Sequence, residues 1–180
     1  MNIFGKFSQG LGYNDFLARY ANDAQKTSWR QVHGQVALTP AQRELLGKFK
    51  RRMPVLCLAG AWCGDCSGQC PIFAHFSSAA PVIELRFLDR DDHADLQQEL
   101  KINGGDRVPV LVFFSEDGHE VARYGERTLS KYRHLAGALD GSALASDSLL
   151  ARITQDWLNE FERVQWMLRL SPRLRKLHND

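Results

Sequence analysis

The spacing of apolar residues changes character along the chain. Over residues 1–52 it is helical: Phe16, Leu17, Tyr20 and Ala21 make one short apolar stripe, and Trp29, Val32 and Val36 another. "LTPAQRELLGKF" carries a helix start, with Thr39 as N-cap, Pro40 at the first helical position and Gln42 closing a capping box. The basic "KFKRRMP" ends that helix. From Pro54 the pattern turns strand-like, and "VLCLAG" is an apolar run of the kind found in a buried strand. "SGQCPIFAHF" returns to helical spacing, with Cys66, Cys70, Phe73 and Phe76 along one side. "VIELRFLD" alternates as a second strand, and "DDHADLQQELKI" predicts a helix capped by Asp92. "PVLVFF" and "HEVARYG" predict two strands around the turn "SEDG", and "LSKYRHLAGAL" a helix capped by Ser130. The polar run at 140–148 is expected as a linker. Beyond it Leu150, Ile153, Trp157, Phe161, Val164 and Leu168 recur at helical spacing as a core-facing stripe. Pro172 is expected to stop that helix and leave "RLRKLHND" as a frayed basic tail.

The middle of the chain therefore reads strand–helix–strand–helix–strand–strand–helix. The first crossover implies parallel strands and the "SEDG" hairpin an antiparallel pair. The expected fold is α/β: a mixed central sheet of about four strands flanked by helices. With 180 residues, 44% of them hydrophobic and 24% charged, the chain has the makings of one globular unit. A net charge of +2 is too small to point to nucleic acid or an acidic membrane as partner. No stretch approaches the roughly 18 apolar residues that span a bilayer. The first residues carry no apolar signal core, so a cytoplasmic setting is expected.

That setting changes the meaning of the cysteines. Cytosolic thiols stay reduced, and all four cysteines of this chain fall between positions 57 and 70. Such crowding points to catalysis or metal binding rather than to scaffolding. "WCGDC" lies between a strand and a helix, which puts Cys63 at the helix N-terminus. Unpaired N–H groups and the helix dipole favour a thiolate there. Cys66 lies one turn in, placed to close a small disulfide ring. Cys63 is thus the expected nucleophile and Cys66 the resolving thiol.

"AGAWCGDC", with its preceding strand, resembles the active-site segment of the thioredoxin superfamily, in which tryptophan directly precedes the first cysteine. Pro71 matches the helix-kinking proline, "RVPV" the cis-proline loop with Pro109 as that proline, and "YGERTLSKYR" the glycine and last helix, with Gly125 as the glycine. The whole pattern is similar to bacterial thioredoxin-like proteins with added N- and C-terminal helices. On this reading 1–53 is an N-terminal helical extension, 54–139 the thioredoxin-like core without its first strand, and 140–180 a loop and C-terminal helical extension. The resemblance implies a protein-disulfide oxidoreductase with no cofactor beyond a redox-active Cys63–Cys66 disulfide. Its partners would be disulfide-containing proteins and an electron donor, either a thioredoxin reductase or a low-molecular-weight thiol. Substrate would lie against Trp62, Gly64, Asp65, Val108 and Pro109, with Gly104, Gly105, Asp106 and Arg107 before the proline. A binding or adaptor protein with sensory redox chemistry is the alternative.

Three departures from the pattern matter. Asp65 replaces the proline of the usual Gly-Pro dipeptide; its charge opposes a nearby thiolate but suits a helix N-terminus. Cys57 stands where thioredoxins bury an aspartate that assists the resolving thiol, which leaves Asp65 and Asp89 as candidate acids. Cys70 shares a helix face with Cys66, so both Cys57 and Cys70 are possible auxiliary thiols, as relay partners or as buried hydrophobes. A metal site of Cys63, Cys66, Cys70 and His75 is not expected, because four ligands along one helix do not readily converge tetrahedrally.

Overall fold

Strand β1 (Met53–Ala59) is buried at all seven positions, and so is every position of β3 (Val110–Phe114). Continuous apolar runs of this kind suit central strands covered on both faces. The computed structural model describes residues 2–140 and 149–180. Its sheet runs β2–β1–β3–β4, with β2 at Ile83–Asp89 and β4 at Glu120–Gly125. β1 and β2 are parallel; β3 is antiparallel to both β1 and β4. The parallel pair needs a crossover, which is the helix Gly64–Ala79.

Before the sheet come a short 3₁₀ turn (Phe4–Gln9) and helices α1 (Tyr13–Tyr20), α2 (Asp23–Gln35) and α3 (Pro40–Gly47). The crossover helix is accordingly α4. The capping box read at Thr39 and Gln42 is present, and a second one joins Asn22 and Gln25 at the start of α2. Phe16 and Trp29 are fully buried, and the Phe16 ring lies 5.5 Å from Phe87 of β2. Leu11 exchanges two backbone hydrogen bonds of 2.8 Å with Phe87. A single residue thus closes the outer side of β2, where the resemblance left the first strand missing, and aromatic packing from α1 and α2 completes the cover.

α5 (Ala94–Glu99) and α6 (Leu129–Asp140) follow, then α7 (Leu149–Arg169). Ile153, Trp157, Phe161, Val164 and Leu168 are buried as their spacing predicts. Trp157 meets Phe73 of α4 edge-on at 4.6 Å and Tyr124 of β4 at 4.9 Å. Phe161 meets Phe76 at 5.2 Å and Phe113 of β3 at 5.0 Å.

Several local expectations differ from what is observed. Pro172 opens an eighth helix, α8 (Pro172–His178), rather than a frayed tail. Ser171 caps it, Leu174 is buried, and Arg173 pairs with Asp117. Proline lacks an N–H, which suits a first helical position as well as it suits a stop. Asp92 does not cap α5, whose N-cap position is His93; its carboxylate accepts from the Tyr20 hydroxyl at 2.7 Å. Ser130 does not cap α6: Thr128 Oγ1 accepts the Lys131 N–H at 3.4 Å, while the Ser130 N–H donates to Asp156 at 2.8 Å. The linker expected at 140–148 lies, beyond its first residue, outside the described residues.

Candidate active site

The turn from β1 into α4 carries the dithiol. Cys63 occupies the N-cap position with extended backbone (φ −81°, ψ 126°), and its sulfur bonds no backbone N–H of the helix as a cap. It is partly exposed, and its sulfur lies 3.6 Å from the carbonyl oxygen of Val108. Cys66, one turn in, is fully buried and accepts the Gly60 N–H at 3.5 Å. The Val108–Pro109 peptide is cis. Gly125 lets the end of β4 close against it: a Cβ there would sit 2.5 Å from the Pro109 carbonyl oxygen. Trp62 is 49% exposed beside Cys63. Its ring is held by a hydrogen bond to Asp91 at 3.2 Å and by the Arg90 guanidinium 4.4 Å from the ring centroid.

The two thiols shift each other's titration in opposite directions. Burial alone pushes the Cys66 thiol up. The Cys63 and Cys70 thiols and the Gly60 N–H point at its sulfur, outweigh burial, and bring it down to about 5. Cys63, hydrogen-bonded to Cys66 and partly buried, is pushed up. The pair therefore loses one proton readily and the second with difficulty. The proton is thus held more tightly at Cys63, and the anion is favoured at Cys66, whose sulfur accepts the Gly60 N–H. Cys63 remains the sulfur that solvent and a partner can reach.

Residues distant in sequence hold this turn. Asp65 is paired with Arg127, which approaches to 2.7 Å, so the charge that opposes the thiolate is largely compensated. Gln69, 2% exposed, donates to the Glu126 carbonyl at 2.8 Å and the Asp65 carbonyl at 3.2 Å, and accepts from the Trp157 indole at 2.8 Å. Trp29 donates its indole N–H to the carbonyl of Ala61 at 2.9 Å. Both flanking helical segments thus bond directly to the dithiol segment. Gln69, Arg127, Trp29 and Trp157 carry no local motif; only the burial of two tryptophans at helical spacing pointed to any of them.

The other expected residues fall as follows. Gly64 is the first residue of α4. Asp106 lies 3.7 Å from Lys101 and Arg107 3.5 Å from Glu126, so both loop charges have partners. Gly104 has a φ of +71°, which glycine adopts without strain. Asp89 is buried at the end of β2 and accepts the N–H groups of Asp91 and Asp92; burial pushes its carboxyl up. It serves the turn rather than the dithiol. His75 faces α2, with Nε2 3.0 Å from the His33 carbonyl oxygen and its ring 4.3 Å from the His33 ring. Among the described residues no group of three His, Cys, Asp or Glu side chains is arranged to hold a metal ion. Cys57 and Cys70 are both fully buried, with their sulfurs 3.9 Å apart. Cys57, on the strand, therefore faces Cys70 and not an acid.

A thioredoxin family model matches residues 10–134. The chain belongs to the thioredoxin family. The match begins well before the dithiol and takes in α1, α2 and α3. A protein of unknown function from Pseudomonas aeruginosa shares the fold at 21% identity, covering 91% of this chain and 94% of its own, with a TM-score of 0.65. An HIV epitope scaffold is similar at 18% identity over 89% of this chain and 99% of its own, with a TM-score of 0.68. No curated protein matches the sequence.

Proposed function

We propose that this thioredoxin-family protein is a thiol–disulfide oxidoreductase acting on protein disulfides through Cys63 and Cys66. The observation that carries the reading is the asymmetry of the pair: a partly exposed sulfur at the N-terminus of α4, 3.6 Å from the carbonyl oxygen before the cis-proline, backed by a fully buried sulfur one turn in, where the surrounding donors favour the anion. As the Cys63 proton passes to Cys66, the Cys63 thiolate attacks one sulfur of the substrate disulfide. A mixed disulfide forms and the other substrate sulfur leaves as a thiol, taking up a proton. Cys66 then attacks the Cys63 sulfur, releasing the second substrate thiol and leaving the Cys63–Cys66 disulfide. Trp62, Gly64 and Asp65 form one wall of the substrate site, and Val108 and Pro109 the other. A low-molecular-weight thiol or a thioredoxin reductase returns two electrons, in a cytoplasmic setting. No described helix is long and apolar enough to cross a membrane.

Reduction of insulin by dithiothreitol, with and without the protein, tests the reading. Accelerated precipitation that disappears in Cys63→Ser is expected; no acceleration would favour the binding or adaptor role. Cys66→Ser should accumulate the mixed disulfide and capture the substrate.

A further inference from the structure

The four cysteines lie along one short path. Cys63 and Cys66 stand one turn apart at the start of α4, Cys70 follows one turn further on the face of Cys66, and the Cys70 sulfur lies 3.9 Å from that of Cys57 on β1. The first of the four is partly exposed and the other three are fully buried. A resolving step uses only the first two, and the mechanism above leaves the inner pair without a task.

We propose that Cys57 and Cys70 are a second, internal dithiol that exchanges electrons with Cys63–Cys66, so that one chain stores two electron pairs. The inference rests on the oxidoreductase reading and adds a reserve to it. Beginning from the Cys63–Cys66 disulfide, Cys70 attacks the Cys66 sulfur. The Cys66–Cys70 bond forms, the Cys63–Cys66 bond breaks, and Cys63 leaves with the proton that Cys70 gave up. Cys57 then attacks Cys70: the Cys57–Cys70 bond forms, the Cys66–Cys70 bond breaks, and Cys66 takes the proton from Cys57. Two electrons move from the inner pair to the outer pair, and no external oxidant or reductant takes part. The outer dithiol is again ready for substrate. Bonding Cys57 to Cys70 brings sulfurs already 3.9 Å apart to about 2.05 Å, a short movement between β1 and the helix packed against it. Burial pushes both inner thiols up, so thiolate is scarce there and the second pair is delivered more slowly than the first.

Counting electrons tests this without a reductant present. Fully reduced native protein is mixed with excess DTNB, an aromatic disulfide that releases a coloured thiolate, and the products are mapped by mass spectrometry. Two pairs of coloured thiolates per chain are expected, in a fast and a slow phase, with Cys57–Cys70 and Cys63–Cys66 both formed. Cys70→Ala should release one pair, in the fast phase alone; Cys57→Ala should release that pair and then, slowly, one further thiolate, as Cys70 opens the outer disulfide and DTNB traps the freed Cys63. Cys63→Ser should leave Cys57 and Cys70 unoxidised over the same period, because only the relay reaches them. If wild type stops at one pair, the reserve is overturned while the oxidoreductase reading stands. Release of none would defeat that reading itself. Formation of Cys57–Cys70 in Cys63→Ser at the wild-type rate would overturn the relay. The wild-type count and mapping stand even if an alanine variant fails to fold.

Discussion

At the scale of single residues, the charge around the dithiol is set by a pair that no short motif records. Asp65 disfavours the Cys66 thiolate, and Arg127 compensates Asp65. Removing Arg127 alone should leave an unopposed carboxylate one residue from Cys66 and shift the pH profile of Cys63 alkylation upward by roughly one unit. Asp65→Asn should move it the other way, because the remaining guanidinium then favours the thiolate. The double variant should lie near wild type. Iodoacetamide rates from pH 4 to 9 decide the matter, and a double variant that tracked Arg127→Ala would show that Arg127 acts through other groups. The placement of Cys63 and Cys66 at the start of α4, the exposure of Trp62 and the cis peptide before Pro109 follow short local patterns, so sequence alone reaches them. It does not reach Arg127 and Gln69, because their partners are distant in sequence and only the fold brings them together.

Among the elements, α7 is more than a cover. Its Trp157 indole is buried and donates to Gln69, which in turn holds the carbonyls of Asp65 and Glu126. Trp157→Phe keeps most of the apolar contact with Phe73 and Tyr124 but leaves the Gln69 oxygen without its donor in a buried place. The expected cost is about 1–3 kcal/mol by urea denaturation. A slower resolving step should accompany it, since Gln69 lies on α4 between Cys66 and Cys70. Undiminished stability would mean that the amide finds another donor. The stripe that buries Trp157 was readable from helical spacing, as was the capping box of α3. The start of α8 is not distinguishable from a helix stop in sequence, because proline marks both ends of helices, and what decides between them is whether an apolar residue such as Leu174 finds a place to pack. Asp92 and Ser130 differ from their expected capping roles for a similar reason. Each is a good cap in isolation, but in the fold the Asp92 carboxylate and the Ser130 N–H each have a partner elsewhere.

For the whole molecule, the thiol pair couples redox state to folding through protons. In the reduced protein Cys66 sits at about 5, whereas in an unfolded chain a thiol titrates near about 8.5. Between these values the unfolded chain binds more protons, so stability rises with pH, by at most about 1.4 kcal/mol per unit for one proton. Above about 8.5 the sign reverses. Cys63 is pushed up, so it keeps its proton in the fold after the unfolded chain has lost its own, and stability falls. Other groups titrate too: burial lowers His33 and His93 and raises Asp89. These lie outside the dithiol and cancel when the Cys63–Cys66 disulfide form is subtracted from the reduced form; Cys57 and Cys70, pushed up by burial and further by Cys66, do not cancel fully and add to the decline above about 8.5. The difference in unfolding free energy between reduced and disulfide forms should therefore climb from pH 5, peak near pH 8.5 and decline beyond it. Paired urea titrations across that range measure it. A flat difference would mean that the two thiols do not shift each other's titration in the fold, and the asymmetry on which the proposed chemistry stands would be lost with it.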